Sequence, residues 1–77
     1  MAELNLDQLR DELLVLLADY LKNDPANLEK IRAIGIQLNE AGGMSLMRKV
    51  GAMVRTEDQL KASWLNNAWD GIGAWMS

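Results

Sequence analysis

The 77-residue chain contains no cysteine, no histidine and no phenylalanine, and only one proline. Each absence removes a class of explanation. Without cysteine there is no disulfide framework and no thiolate metal site. Without histidine the chain lacks the commonest metal ligand and the side chain that most often moves protons near neutral pH. General acid–base chemistry would fall to carboxylates, lysines or Tyr20, and nucleophilic chemistry to serines that have no identifiable base. The expectation is therefore a non-enzymatic protein, with no catalytic residue, no cofactor-binding residue and no metal ligand. Without phenylalanine, aliphatic and methionine side chains must fill most of the core, helped by three tryptophans and one tyrosine.

Long apolar runs are also missing. The longest, Leu13–Ala18, is far short of the roughly 20 residues that span a bilayer. The first residues lack the basic flank and apolar stretch of a secretory signal. The expected setting is the cytoplasm, with no membrane association.

Positive charge is scarce overall. Eleven acids against eight bases leave a net charge of −3, and an acidic chain gains little from counterion release on a phosphate backbone. The bases are nevertheless unevenly spread. Residues 44–55 carry Arg48, Lys49 and Arg55 and no acid, which makes these three the candidate contacts for an anion or nucleic acid. The segment 34–55 could imitate a helix-turn-helix around Gly42-Gly43. Gly42-Gly43-Met44-Ser45 at a helix start could also hold an anion, although it lacks the full P-loop pattern. Asp7, Asp11 and Glu12 share part of one helical surface and read as a solvated face, since a calcium loop alternates its ligands around a glycine turn.

What is present is helical periodicity. Leu6, Leu9, Leu13, Leu16, Leu17, Tyr20 and Leu21 recur at spacings of three and four and predict a helix over 6–22, capped by Asn5 with Gln8 in the capping-box position. Asn23-Asp24-Pro25 breaks it, with Asp24 as the next cap and Pro25 as a first helical residue. A second helix over 25–41 shows Leu28, Ile31, Ile34, Leu38 and Ala41 on one face. Gly35 lies in that face, where a glycine costs about 1 kcal/mol relative to alanine, so another helix is expected to approach closely there. Gly42-Gly43 should close the helix in a left-handed conformation. A third helix is expected over 44–54, and a fourth over 57–70 opened by Thr56 with Gln59. Alternating strand patterns are absent. The predicted fold is one all-α domain over 1–77, a bundle of four short helices with a tryptophan-containing tail that folds back onto it.

Trp64 falls in the apolar stripe of the fourth helix and is assigned to the core. Trp69 lies at the stripe's edge and, with Ile72 and Trp75, forms the candidate partner surface, because aromatic residues dominate binding hot spots. Val15 and Ile36 fall outside the core stripes of their helices. A chain this short, with no covalent staple, often gains stability by association, so a two-fold homodimer is expected.

The pattern Ile31-Arg32-Ala33-Ile34-Gly35, then Gly42-Gly43-Met44 with Leu46-Met47, then Ala68-Trp69-Asp70-Gly71-Ile72-Gly73 with Trp75, resembles small uncharacterised bacterial all-helical proteins. The likeness runs from Ile31 to Trp75 and leaves out the first helix. It implies no catalytic residue, substrate or cofactor. The leading functional expectation is a protein-interaction domain that binds itself or another protein, with no small-molecule ligand indicated. The alternatives are a small nucleic-acid-binding regulator and an accessory subunit of a larger enzyme.

Overall fold

Side chains at the helix starts set the first elements in the computed structural model, which describes residues 4–73 and 75. The Asn5 side chain accepts the Gln8 backbone N–H at 3.1 Å and opens α1, Leu6–Ala18, satisfying one of the amides that a helix start leaves unpaired. Leu13 and Leu17 are fully buried, with Leu6, Leu9 and Leu16 packed against them. The helix ends at Ala18 rather than at the expected residue 22, and Tyr20–Lys22 forms a 3-10 turn. The tighter winding changes the angular phase, so Tyr20 stays against the core while Leu21 turns out to 70% exposure. Asn23 then takes a left-handed conformation at φ 56°, which a short polar side chain tolerates.

Asp24 accepts the Ala26 N–H at 3.0 Å, and Pro25 opens α2, Pro25–Glu57. The Asn27 side-chain amide donates to the Leu16 carbonyl at 2.8 Å. That bond satisfies a carbonyl near the end of α1 and sets the Leu16 level of α1 beside the Asn27 level of α2. Farther from that bond, Glu12 and Gln8 on α1 share a groove with Lys30 and Ile34 on α2, so the two helices run side by side in opposite directions.

A straight helix as long as α2 would reach about 50 Å, beyond the molecule's longest dimension of 34 Å. The chain bends at Gly43, where φ is 66° and ψ is −158°. The positive φ agrees with the sequence expectation, but the extended ψ does not make a left-handed cap. Helix resumes at once, so the expected helices 25–41 and 44–54 are the two arms of one element kinked at Gly43, and the described residues form three α-helices rather than four. The first arm buries Ile31, Ile34, Gly35 and Leu38, and the second buries Met47, Val50 and Val54.

The second arm runs on to Glu57 because Thr56 does not cap the next helix. Its hydroxyl donates back to the Ala52 carbonyl at 2.9 Å. Asp58 takes the cap instead, in an extended conformation with its carboxylate accepting the Lys61 N–H at 3.1 Å, and a negative charge suits that end of a helix. The last helix, α3, spans Gln59–Ala68 rather than 57–70. Every α-helix and the 3-10 turn contribute to an all-helical fold, with no strand among the described residues.

Beyond α3 the chain doubles back through two turns, with Gly71 at φ 90° and Gly73 at φ 55°. The Trp69 indole N–H donates to the Ile31 carbonyl at 2.9 Å. Gly35 makes room for that ring: a Cβ there would stand 2.6 Å from Trp69 Nε1. Trp75 meets Trp69 edge to face at a centroid distance of 5.1 Å and lies against Gly51 on the second arm. The tail thus seals the core across both arms of α2. The close approach expected at Gly35 is real, but the approaching group is an indole rather than a helix.

Arg32 fastens this closure. Its guanidinium Nη1 donates to the Ala68 carbonyl at 2.7 Å and to the Asp70 carbonyl at 2.9 Å. Both lie where a helix runs out of backbone donors and a cation is favoured. Arg32→Met keeps most of the aliphatic stem and loses the bonds, so it should destabilise by about 1–2 kcal/mol. A urea midpoint equal to that of the parent protein would show that water serves these carbonyls equally well.

Candidate functional site

The expected partner surface is not on the surface. Trp69 is 0% exposed, Ile72 is buried and Trp75 is 9% exposed. The reason is local. Trp69 at the C-cap keeps a right-handed helical backbone and donates its N–H to the Leu65 carbonyl at 2.9 Å. It therefore continues the face of buried Ala62, Leu65 and Ala68 and lies within the buried stripe of α3 rather than at its edge. Trp64, assigned to the core from its position in the stripe, is only half-buried. It stacks on Tyr20 with a centroid distance of 5.8 Å and an interplanar angle of 12°. Trp64 thus packs against the edge of the core, and Trp69 lies at its centre.

Arg48, Lys49 and Arg55 are exposed on the second arm of α2, and none forms an ion pair among the described residues. They line none of the three surface hollows described. A helix-turn-helix joins its helices by a turn of roughly three to four residues, whereas the arms here meet at the single residue Gly43. No polar or charged residue is buried among the described residues. No group of three or more acidic residues is placed to hold a metal among them either.

The feature that stands out is an open groove of about 590 Å³ between α1 and the first arm of α2. Leu16 and Ile34 form its apolar base. Val15, 70% exposed, rises from α1, and exposed Ala33 faces it from α2. Ala33 also borders a second hollow of about 400 Å³, shared with Leu28 and Ile36. Ile36 is 45% exposed. Ala33 thus joins the two hollows, with Val15 lining the first and Ile36 the second, where Glu29 and Arg32 stand beside it. These three apolar residues make up one strip.

Charges of opposite sign edge this strip. Asp11 and Glu12 stand on the α1 margin, and Lys30 on the α2 margin, of the same groove. Arg10 already neutralises Asp11 at 3.0 Å. Glu12 and Lys30 are both exposed and form no ion pair among the described residues.

The sequence signal for this strip was faint. Val15 lies two residues beyond Leu13, and Ile36 two beyond Ile34, each about 200° round its helix from a core position. Singly, each is an unremarkable exposed apolar residue. Only the antiparallel register fixed by the Asn27–Leu16 bond brings the outer faces of the two helices together. Arg32 was missed for a similar reason, since its carbonyl partners lie across the fold at Ala68 and Asp70.

No family model, no curated protein and no solved structure matches the chain.

Proposed function

We propose that this chain is a protein-interaction domain that pairs with a second copy of itself through the apolar strip over α1 and the first arm of α2. The observation that carries the reading is the merger of Val15, Ala33 and Ile36, from two helices, into one exposed strip. Isolated apolar residues need no partner, but a contiguous apolar surface with a polar border is the usual form of a contact site. A second copy suits it because the border carries both signs of charge, so the face is complementary to itself, as a two-fold interface requires. The tail tryptophans act in this reading by holding the α1–α2 scaffold, not by touching the partner.

Light scattering coupled to size exclusion, run over a dilution series, tests the proposal. A dimer mass at high concentration that falls toward monomer on dilution is the expected result. Val15→Asp and Ala33→Asp each place a charge in the strip at an exposed position and should weaken association at least about tenfold, with the helical circular dichroism unchanged. A monomer mass at every concentration would overturn the reading. An undiminished dimer in both variants would move the interface elsewhere and overturn it equally.

A further inference from the structure

We infer that the two copies meet with the two-fold axis lying along the groove, so that Glu12 of each chain opposes Lys30 of the partner subunit, and that this pair of charges selects both the orientation and the identity of the partner. The inference rests on the self-association reading above and adds its geometry.

The register makes the placement specific. Leu16 on α1 lies level with Asn27 on α2. The helices are antiparallel, so one turn back on α1 and one turn on along α2 brings Glu12 level with Lys30, on opposite margins of one groove. A two-fold axis along the groove exchanges the margins while keeping each level, and sets every Glu12 against Lys30 of the partner subunit. An axis across the groove keeps the margins in place. It would turn the acidic margin of one copy onto the acidic margin of the other, and the lysine margin onto the lysine margin. The first arrangement pairs unlike charges twice, and the second pairs like charges.

Helix direction permits either axis, since both set each helix antiparallel to the one it faces, and the rim charges make the choice. Under the groove-parallel axis, α1 packs beside α2 of the second copy in the opposite sense. All neighbouring helices then alternate in direction, as in an up-and-down four-helix arrangement. Ala33, at the junction of the two hollows, presents a side chain small enough for the backbones to approach. The strip supplies the attraction, and the rim charges decide which arrangement it takes, the usual division of labour at an interface. Asp11 contributes less to the choice because Arg10 holds it within its own chain.

Charge reversal tests this directly, measured by light scattering and analytical ultracentrifugation at low salt. Glu12→Lys alone and Lys30→Glu alone each create two like-charge contacts per dimer, and each should weaken self-association by about tenfold or more. Mixing the two variants in equal amounts should restore a dimer containing one of each, because every contact is again between unlike charges. The double variant should recover the homodimer by the same logic. Both residues are exposed, so circular dichroism should report an unchanged fold. Single variants that dimerise as tightly as the parent chain would overturn the orientation while leaving self-association standing. Failure of the mixture and of the double variant to recover would overturn it too. A parent chain that stays monomeric would remove both this inference and the reading beneath it.

Discussion

Trp69→Ala should destabilise the fold by about 3–5 kcal/mol, the range expected when a large aromatic is removed from a packed core. The indole is fully buried, holds a hydrogen bond to the Ile31 carbonyl and supports the edge-to-face contact with Trp75. Its removal therefore leaves a cavity and loosens the tail at once. Domains of ordinary stability are held by about 5–15 kcal/mol, and one this small is expected near the lower end. The variant should be largely unfolded at modest urea concentrations, as followed by far-ultraviolet circular dichroism. Trp64→Ala should cost less, because that ring is only partly buried, as is its stacking partner Tyr20. If the two variants melted in the reverse order, the assignment of Trp69 as the closing side chain of the core would be wrong.

Gly35→Ala should give an effect whose sign depends on Trp69. In an unconstrained helix interior, alanine is better than glycine by about 1 kcal/mol. Here the added methyl would stand 2.6 Å from Trp69 Nε1, 2.7 Å from its Cδ1 and 3.0 Å from the Cδ1 of Ile72. The ring cannot swing aside, since it is buried and hydrogen-bonded to the carbonyl one helical turn before Gly35. Overpacking of this kind costs about 1–3 kcal/mol, so the single variant should lose stability in spite of its better propensity. In a Trp69→Leu background the two closest contacts are gone and only the flexible end of Ile72 remains nearby, so the same substitution should be neutral or stabilising by up to about 1 kcal/mol. Urea melts of the four proteins in this cycle give the coupling directly. Additive effects would mean that the indole and the glycine are independent, against the geometry described.

Local chemistry was the part of this fold most open to reading. Asn5 and Asp24 cap their helices with atoms within three residues along the chain, so the pattern and its cause lie in one short segment. The core residues Leu13, Leu17, Ile31, Leu38, Met47, Val50 and Val54 follow from helical periodicity alone. The readings that failed involve competition between neighbours. Thr56 with Gln59 looked like a helix start, but Asp58 with Lys61 is an equally local alternative, and it prevails because the second arm of α2 continues through Thr56. The buried face of α3 runs through Ala62, Leu65, Ala68 and Trp69, rotated from the stripe drawn through Trp64, and that difference in phase moved Trp69 from interface candidate to core. The groove depends on the register between two helices, to which neither helix sequence refers.

The bend at Gly43 has a consequence for chirality. A Cβ at this position would find nothing within 4 Å, so volume does not exclude a side chain there. The backbone does: φ of 66° with ψ of −158° falls in a region essentially restricted to glycine among the coded residues. Reversing the sign of both angles gives the polyproline region that any L-residue adopts readily. A D-amino acid would therefore sit at this bend as comfortably as an L-residue sits in an extended strand. A coded substitute for Gly43 has room for its Cβ and the wrong hand, and the corner that returns the second arm of α2 to the core is enforced by stereochemistry rather than by crowding at that Cβ.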